Sequence, residues 1–292
     1  MAAAALALVL GAALLHALWN LGAKRAGGNH HLVFVSALMA SAVWLPVAAP
    51  LAWRLLAQWS LLAWAMVLAS AVLHLVYFNT LLIGYRVSDL NIVYPVARGC
   101  GPAVSALVAL ALFREQLGVL GGAGLAAVIG GIVLLAAGPA LWQHAHDADT
   151  RRRRALGLCW GALTGLTIAG YTLVDGYSVK TLQLSPLLLY YVSNLLLVPL
   201  LLPRIVRDAA GFMPALRHQW PYMLLIAVCS PLAYVLVLYA LQLAPLSRVA
   251  PMRELSMLIA ALAGGKLLGE PEQGWRLVGA VLIAGGVVAL AA

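Results

Sequence analysis

The sequence predicts an all-α membrane protein with ten transmembrane helices, built as two five-helix repeats of inverted topology. Three observations lead there. Of the 292 residues, 64% are hydrophobic and 9% are charged, against roughly 25% charged in soluble domains. The apolar runs are long enough for helices of ~20 residues, which cross about 30 Å of hydrocarbon. The chain also repeats itself. Arg253 stands 155 positions after Arg98, and the same offset carries Glu115 to Glu270, Gly124 to Gly279, Gly130-Gly131 to Gly285-Gly286 and Asn20 to Asp175. A register kept over so long a stretch marks a duplicated unit.

Taken in order, the apolar segments are 2–23, 31–53, 60–83, 91–113, 118–141, 156–178, 186–203, 220–243, 247–268 and 274–292. The first has no basic stretch before it, so it reads as a helix and not as a cleaved signal peptide. Short connections with Gly, Pro, Asn or a charge separate most of the others. The polar exception is QHAHDADTRRRR, residues 143–154. It divides a first repeat, 1–141, from a second, 156–292, through a basic linker loop, 142–155. Its histidines, His144 and His146 beside Asp147, read as part of a solvated loop, and no metal ligand or cofactor is predicted. Cys100, Cys159 and Cys229 all fall in apolar runs, as small packing residues would.

Five helices per repeat is an odd number, so the second repeat enters the membrane from the opposite side to the first. Inverted repeats of this kind are a construction of secondary transporters, with the site near the midplane between them. The formal net charge of +9 belongs to topology and anionic headgroups, not to a nucleic-acid partner. One face holds Lys24, Arg25, Arg86, Arg151 to Arg154, Arg204, Arg207, Arg217, Lys266 and Arg276; the other holds Arg54, Arg114, Lys180 and Arg248. The first face should be cytoplasmic, with loop 143–154 on it and both termini outside. Trp44, Trp53, Trp59, Trp142, Trp220 and Trp275 lie near segment ends and read as interfacial anchors.

Several motifs resemble a known family. HALWNLGAK closes the first segment, and the fourth and ninth close on FRE and KLLGE before Gly-rich helices. With two five-helix halves, this resembles the EamA-type transporters of the drug/metabolite transporter superfamily. The resemblance implies movement of small metabolites without ATP, across a cell (inner) membrane, by a monomer or homodimer. It also implies a cavity lined by helices 1, 3, 4, 6, 8 and 9. YPVARGCGP with HALWN resembles a subgroup found beside phosphonate-use genes. Members of the family commonly keep their termini in the cytoplasm, whereas the charges here put them outside.

Arg98 and Arg253 are the two basic residues left inside the membrane. An arginine there costs from ~3 to above 10 kcal/mol unless it meets a wet cavity or a partner. Its planar fork suits a carboxylate or phosphonate. Asp175 should lie at the depth of Arg253 and pair with it. Glu254, next in sequence, would point about 100° away on a helix. At the corresponding positions the first repeat has Asn20 and Gly99, so Arg98 is expected to be free for an anionic substrate group. His16 and Asn20 share a helix face, as do Tyr171 and Asp175. Asn79, Tyr94 and Tyr234 add amide and aromatic contacts. Asp175, Glu254 and His16 can each exchange a proton, which admits a proton as coupling ion.

The expected function is secondary transport of a small polar metabolite, anionic or zwitterionic, such as an amino acid, organic acid or phosphonate, by alternating access between the repeats. The alternative is a flippase for a lipid-linked phosphate. An intramembrane enzyme fits less well, because HExxH, GxSxG and paired intramembrane aspartates are all lacking.

Overall fold

The computed structural model describes residues 1–27, 29–88, 90–137, 148–259 and 274–292. Its helices are α1 (Ala3–Arg25), α2 (His30–Leu55), α3 (Leu61–Val87), α4 (Leu90–Leu112), α5 (Val119–Ala137), α6 (Ala148–Lys180), α7 (Pro186–Arg207), α8 (Ala209–Leu243), α9 (Leu246–Met252) and α10 (Gly274–Ala291), with a 3₁₀ turn at Leu56–Gln58. No strand occurs among the described residues. Seven helices, α1 to α4 and α6 to α8, are long and apolar enough to cross a membrane, and α5 and α10 are shorter apolar helices. Large apolar side chains such as Leu14, Leu107, Val206 and Val288 are left exposed. That is tolerable where the surroundings are lipid, which is as apolar as leucine.

The starts of α2 and α3 follow from capping. The Asn29 side chain accepts the Leu32 N–H at 2.8 Å, and the Ser60 hydroxyl accepts the Ala63 N–H at 3.2 Å. Three expectations about elements need correction. Residues 148–154, read as loop, are the first turns of α6. Arginine and alanine are good helix formers, and Asp149 suits the positive N-terminal end. The eighth segment begins at Ala209, directly after Asp208, so Arg217 sits on a helix. The ninth is not one helix from 247 to 268. It breaks at Arg253 and Glu254 and resumes at 255–259. Its remainder, with Lys266 and Glu270, lies outside the described residues, as do Asp89, Trp142, His144, His146 and Asp147.

Pro251, which has no N–H, lies two residues before the break. Past it the backbone shortens its reach: Glu254 N–H bonds to Pro251 O, Ser256 N–H to Arg253 O and Met257 N–H to Glu254 O. These three-residue links are 3₁₀ geometry, with 3.0 residues per turn.

Packing joins the two halves of the chain. α1 lies against α8 and α3 against α6; α2 touches both α7 and α8, and α4 lies beside α6 and α9. On α6, Gly161 and Gly165 let α4 come close: a Cβ at Gly161 would lie 2.9 Å from Val93 O, and one at Gly165 3.1 Å from Ala97 O. α5 and α10 meet backbone to backbone in the same way. A Cβ on Gly131 would lie 2.7 Å from Gly279 O, and one on Gly286 2.6 Å from Gly124 O. Small residues permit this approach, which substitutes for a hydrophobic drive in lipid. Trp44 braces two helices, since its indole donates to Ala227 O at 3.1 Å.

One face of the bundle is tied together. The N-terminal ammonium donates to Ala291 O at 2.7 Å, and Arg248 donates to Leu290 O at 3.3 Å. Beside them, the Glu115 carboxylate accepts Lys180 Nζ at 2.9 Å and the N–H groups of Leu246 and Ser247 at 2.8 Å each. Burial would push the Glu115 carboxyl up, but the Ser247 N–H, the Lys180 ammonium and the Leu246 N–H outweigh it. They hold it below the usual carboxylate range.

Two outcomes follow for stability. Gly131→Ala and Gly286→Ala should each cost about 1–3 kcal/mol, because the added methyl meets backbone. Gly130→Ala and Gly285→Ala, with nothing within 4 Å of the new Cβ, should leave thermal stability unchanged. Melting curves of the four purified variants in one detergent check this. Glu115→Gln should cost about 1–2 kcal/mol at neutral pH. A carboxyl lowered by folding stabilises above its unfolded pKa and loses that contribution as pH falls through its folded value. The gap between the Glu115→Gln and wild-type melting temperatures should therefore close on acidification; a gap independent of pH would contradict the assignment.

Candidate functional site

Inside the bundle lies a cavity of about 210 Å³. Its lining includes His16 of α1, Ser36 of α2, His74 of α3, Arg98 of α4, Asp175 of α6, Asn194 of α7, Tyr234 of α8 and Arg253 past α9. Helices α2 and α7 thus join the set that the family resemblance implied. Ala23, Leu32 and Val33 also line it, so it extends toward the α1–α2 connection, the face opposite the Glu115 network.

Helical spacing builds an aromatic wall. Tyr171 and Asp175 are four apart on α6, and His74 and Tyr77 three apart on α3, so each pair shares a face. Tyr171 stacks on His74 with ring centroids 4.1 Å apart, and Tyr77 and Tyr234 meet Tyr171 edge-on at 5.9 and 6.2 Å. Tyr190 of α7 approaches Tyr234 at 6.1 Å. His74 Nδ1 bonds to Ser70 O at 2.8 Å. A carbonyl only accepts, so Nδ1 carries the proton and Nε2 is left as an acceptor.

Three buried polar atoms in this lining have no hydrogen-bond partner, the Ser36 hydroxyl oxygen among them. Tyr234 OH donates to Asp175 Oδ2 at 2.6 Å, and Asp175 Oδ1 has none. Trp19 Nε1 donates to His16 Nδ1 at 2.9 Å, which puts the imidazole proton on Nε2, and Nε2 also has none. An orphaned acceptor and an orphaned donor therefore face one small space. Buried polar groups are costly to leave unmade, so such atoms call for an explanation.

The charged residues are arranged otherwise than the sequence reading expects. Among the described residues no ion pair joins Arg253 to Asp175. Glu254 instead takes both arginines: Oε2 lies 3.5 Å from Arg98 Nη1 and Oε1 lies 3.4 Å from Arg253 Nε. The Glu254 side chain is fully buried, whereas that of Arg98 is 14% exposed. Arg98 also donates from Nε to Tyr94 OH at 3.4 Å, with its guanidinium carbon 5.6 Å from the Tyr94 ring centre. The physical reason for the correction is the break in α9. The 100° step between neighbours holds only within a regular helix, and Arg253 and Glu254 sit in the turn. Arg98 is thus compensated, by a carboxylate from the other half of the chain.

The remaining sequence-derived candidates stand apart from the cavity lining. Asn20 donates to His16 O at 2.6 Å within its own helix. Asn79 donates to Leu75 O at 2.9 Å and accepts Arg204 Nη1 at 3.0 Å. Tyr94 acts only through Arg98. Sequence reasoning passed over His74, Tyr190, Ser193 and Asn194. A histidine within the strongly apolar α3, three residues before Tyr77, was the one signal available for them.

The Arg98–Glu254 contact makes a testable statement. Removing one partner of a buried pair leaves a stranded charge, at a cost of about 3–5 kcal/mol. Arg98→Gln leaves Glu254 with Arg253 and should destabilise the protein less than Glu254→Gln, which strands both arginines; the double variant should cost less than the sum of the two single changes. Additive melting shifts in the double-mutant cycle would mean that the two side chains do not interact.

Comparison with known proteins bears on the whole arrangement. A solved crystal structure, 13% identical in sequence, superposes with a TM-score of 0.70 over 99% of this chain and 96% of that one. At that identity the likeness shows the fold alone. No curated protein matches this chain. Residues 155–292 match the EamA-like transporter family. This match identifies residues 155–292 as belonging to the EamA-like transporter family, membrane transporters of the drug/metabolite transporter superfamily.

Proposed function

We propose that this transporter moves a small zwitterionic metabolite, of the amino acid type, by alternating access between two inverted five-helix repeats, 1–141 and 156–292. The observation that carries the reading is the charge set around the cavity. Arg98 and Arg253 supply two guanidinium groups; Asp175 and Glu254 supply two carboxylates. If all four are ionised the formal charges cancel, which suits a ligand that carries both signs. An anion alone would leave Asp175 facing it. The unpartnered Asp175 Oδ1 suits an ammonium group, and the arginines and His16 Nε2–H suit a carboxylate. The aromatic wall of His74, Tyr77, Tyr171 and Tyr234 suits an apolar side chain.

Supporting the inverted repeat is the pairing of helices: α1 against α8 and α6 against α3 are the same contact with the halves exchanged. A cavity of about 210 Å³ favours a small solute over a lipid-linked phosphate. Asp175 and His74, in one lining, are the groups through which a proton would couple to transport. The lysine and arginine bias puts the α1–α2 and α7–α8 connections in the cytoplasm. The cavity then faces inward, with the Glu115 network closing the outer face.

A thermal-shift screen of the purified protein against amino acids, organic acids and phosphonates tests the substrate class, and uptake into proteoliposomes tests transport. Zwitterions should stabilise the wild type more than matched organic acids. Asp175→Asn keeps an acceptor for Tyr234 OH but loses the charge. It should weaken zwitterion binding about ten- to a hundredfold, as for a lost hydrogen bond to a charged group. Arg98→Lys keeps the charge and loses the fork, and should slow uptake at matched protein levels. Wild-type binding and uptake in both variants would overturn the proposal.

A further inference from the structure

A second polar cluster lies outside the cavity, where α2 begins and α7 passes into α8. We infer that His30, His31 and Asp208 form a binding site for a transition-metal dication of the zinc type. His30 Nε2 lies 2.9 Å from Asp208 Oδ2, and His31 Nε2 lies 3.7 Å from the same oxygen. An ion held tetrahedrally by bonds of about 2.0–2.1 Å spaces its ligand atoms roughly 3.3 Å apart. The two observed separations straddle that value, and the ligand atoms the three residues offer all lie within 4.8 Å of one another, so side-chain shifts can bring them onto one ion. Two imidazoles and a carboxylate are a donor set suited to zinc.

Three further observations point to a ligand. His30 Nε2 is buried and makes no hydrogen bond of sound geometry, although Asp208 Oδ2 is 2.9 Å away. Nitrogen and oxygen converge without a well-directed hydrogen between them. The backbone is shaped to the cluster: a Cβ on Gly211 would lie 2.9 Å from His31 Cε1 and 3.2 Å from both Asp208 carboxylate oxygens. His218 lines the same hollow, together with Asn29 and Gln219. Water can supply the fourth ligand.

His31 Nε2 donates to Asp208 O at 2.9 Å, so that proton must move to Nδ1 before Nε2 can ligate. Ligation by His31 takes the tautomer with its proton on Nδ1, while the carbonyl stays beside the ion as a further oxygen donor. Selectivity follows from the surroundings. Arg204 is near enough to act on the charge of His30 and opposes any cation held by charge alone. A hard ion such as Mg²⁺, which favours oxygen ligands and keeps its waters, gains little here. Zinc, bound by imidazole nitrogen, gains directional bonds.

A bound ion ties α2 of the first half to the α7–α8 junction of the second, on the face toward which the cavity extends. An effect on transport rests on the alternating-access reading; the binding does not, so the two fail separately. The experiment is a thermal-shift titration of untagged, chelator-treated full-length protein with Zn²⁺, and with Mg²⁺ as control. Wild type should be stabilised by Zn²⁺ and not by Mg²⁺. His30→Gln and Asp208→Asn, at partly exposed side chains, should each need about tenfold more zinc or beyond. His144→Gln combined with His146→Gln should match wild type. No stabilisation of wild type by zinc overturns the site. So does an unchanged response in both His30→Gln and Asp208→Asn, or a response lost only in the variant at 144 and 146.

Discussion

The fully buried carboxylate of Glu254 is the constraint on which the rest of the interior depends. A lone carboxylate in an apolar bundle is too costly to keep, so its position dictates what must surround it. Arg98 reaches it from α4 and Arg253 from the adjoining turn. Neither arginine is tolerable at that depth without it, and it is not tolerable without them. The three charges therefore fix where α4 crosses the broken ninth segment. That crossing in turn sets one wall of the cavity.

The break in the ninth segment is what lets one acid serve two bases. On an unbroken helix, Arg253 and Glu254 would point about 100° apart and only one of them would face α4. Past Pro251 the chain tightens into three-residue links, and Glu254 reaches both arginines. Irregular backbone at membrane depth is tolerated where protein buries it. Here its N–H groups at Glu254, Ser256 and Met257 bond to backbone carbonyls three residues earlier.

Much of the fold was legible in the sequence, because its signals are long and additive. Apolar runs, the 155-residue register and paired glycines each depend on many residues at once. What failed depended on single side chains. The 155-residue offset points Arg253 to Asp175 but says nothing of contacts between the two halves of the chain, and Glu254 meets Arg98 that way. The start of α6 was hidden because four arginines look like a loop when hydropathy is the guide, though their helix propensity is high. Asn20 and Asn79 share faces with good candidates, yet both satisfy themselves on nearby groups, as amides in helices tend to do. His74 shows in the sequence only as a histidine three residues before Tyr77 in an apolar run; the fold sets it against Tyr171.

The Glu115 carboxylate, which holds the first turn of α9, has a mechanical meaning when set beside the Arg98–Glu254 contact. Both ties join the same two stretches of chain, one at the rim of the bundle and one in its interior. Bodies pinned at one point can swivel about it. Bodies pinned at two cannot turn against each other until a pin gives. α4 and the ninth segment are thus welded into a single strut made from both halves of the chain. Any rocking motion that keeps both pins must leave that strut whole and be taken up elsewhere, by α1, α2, α7 and α8.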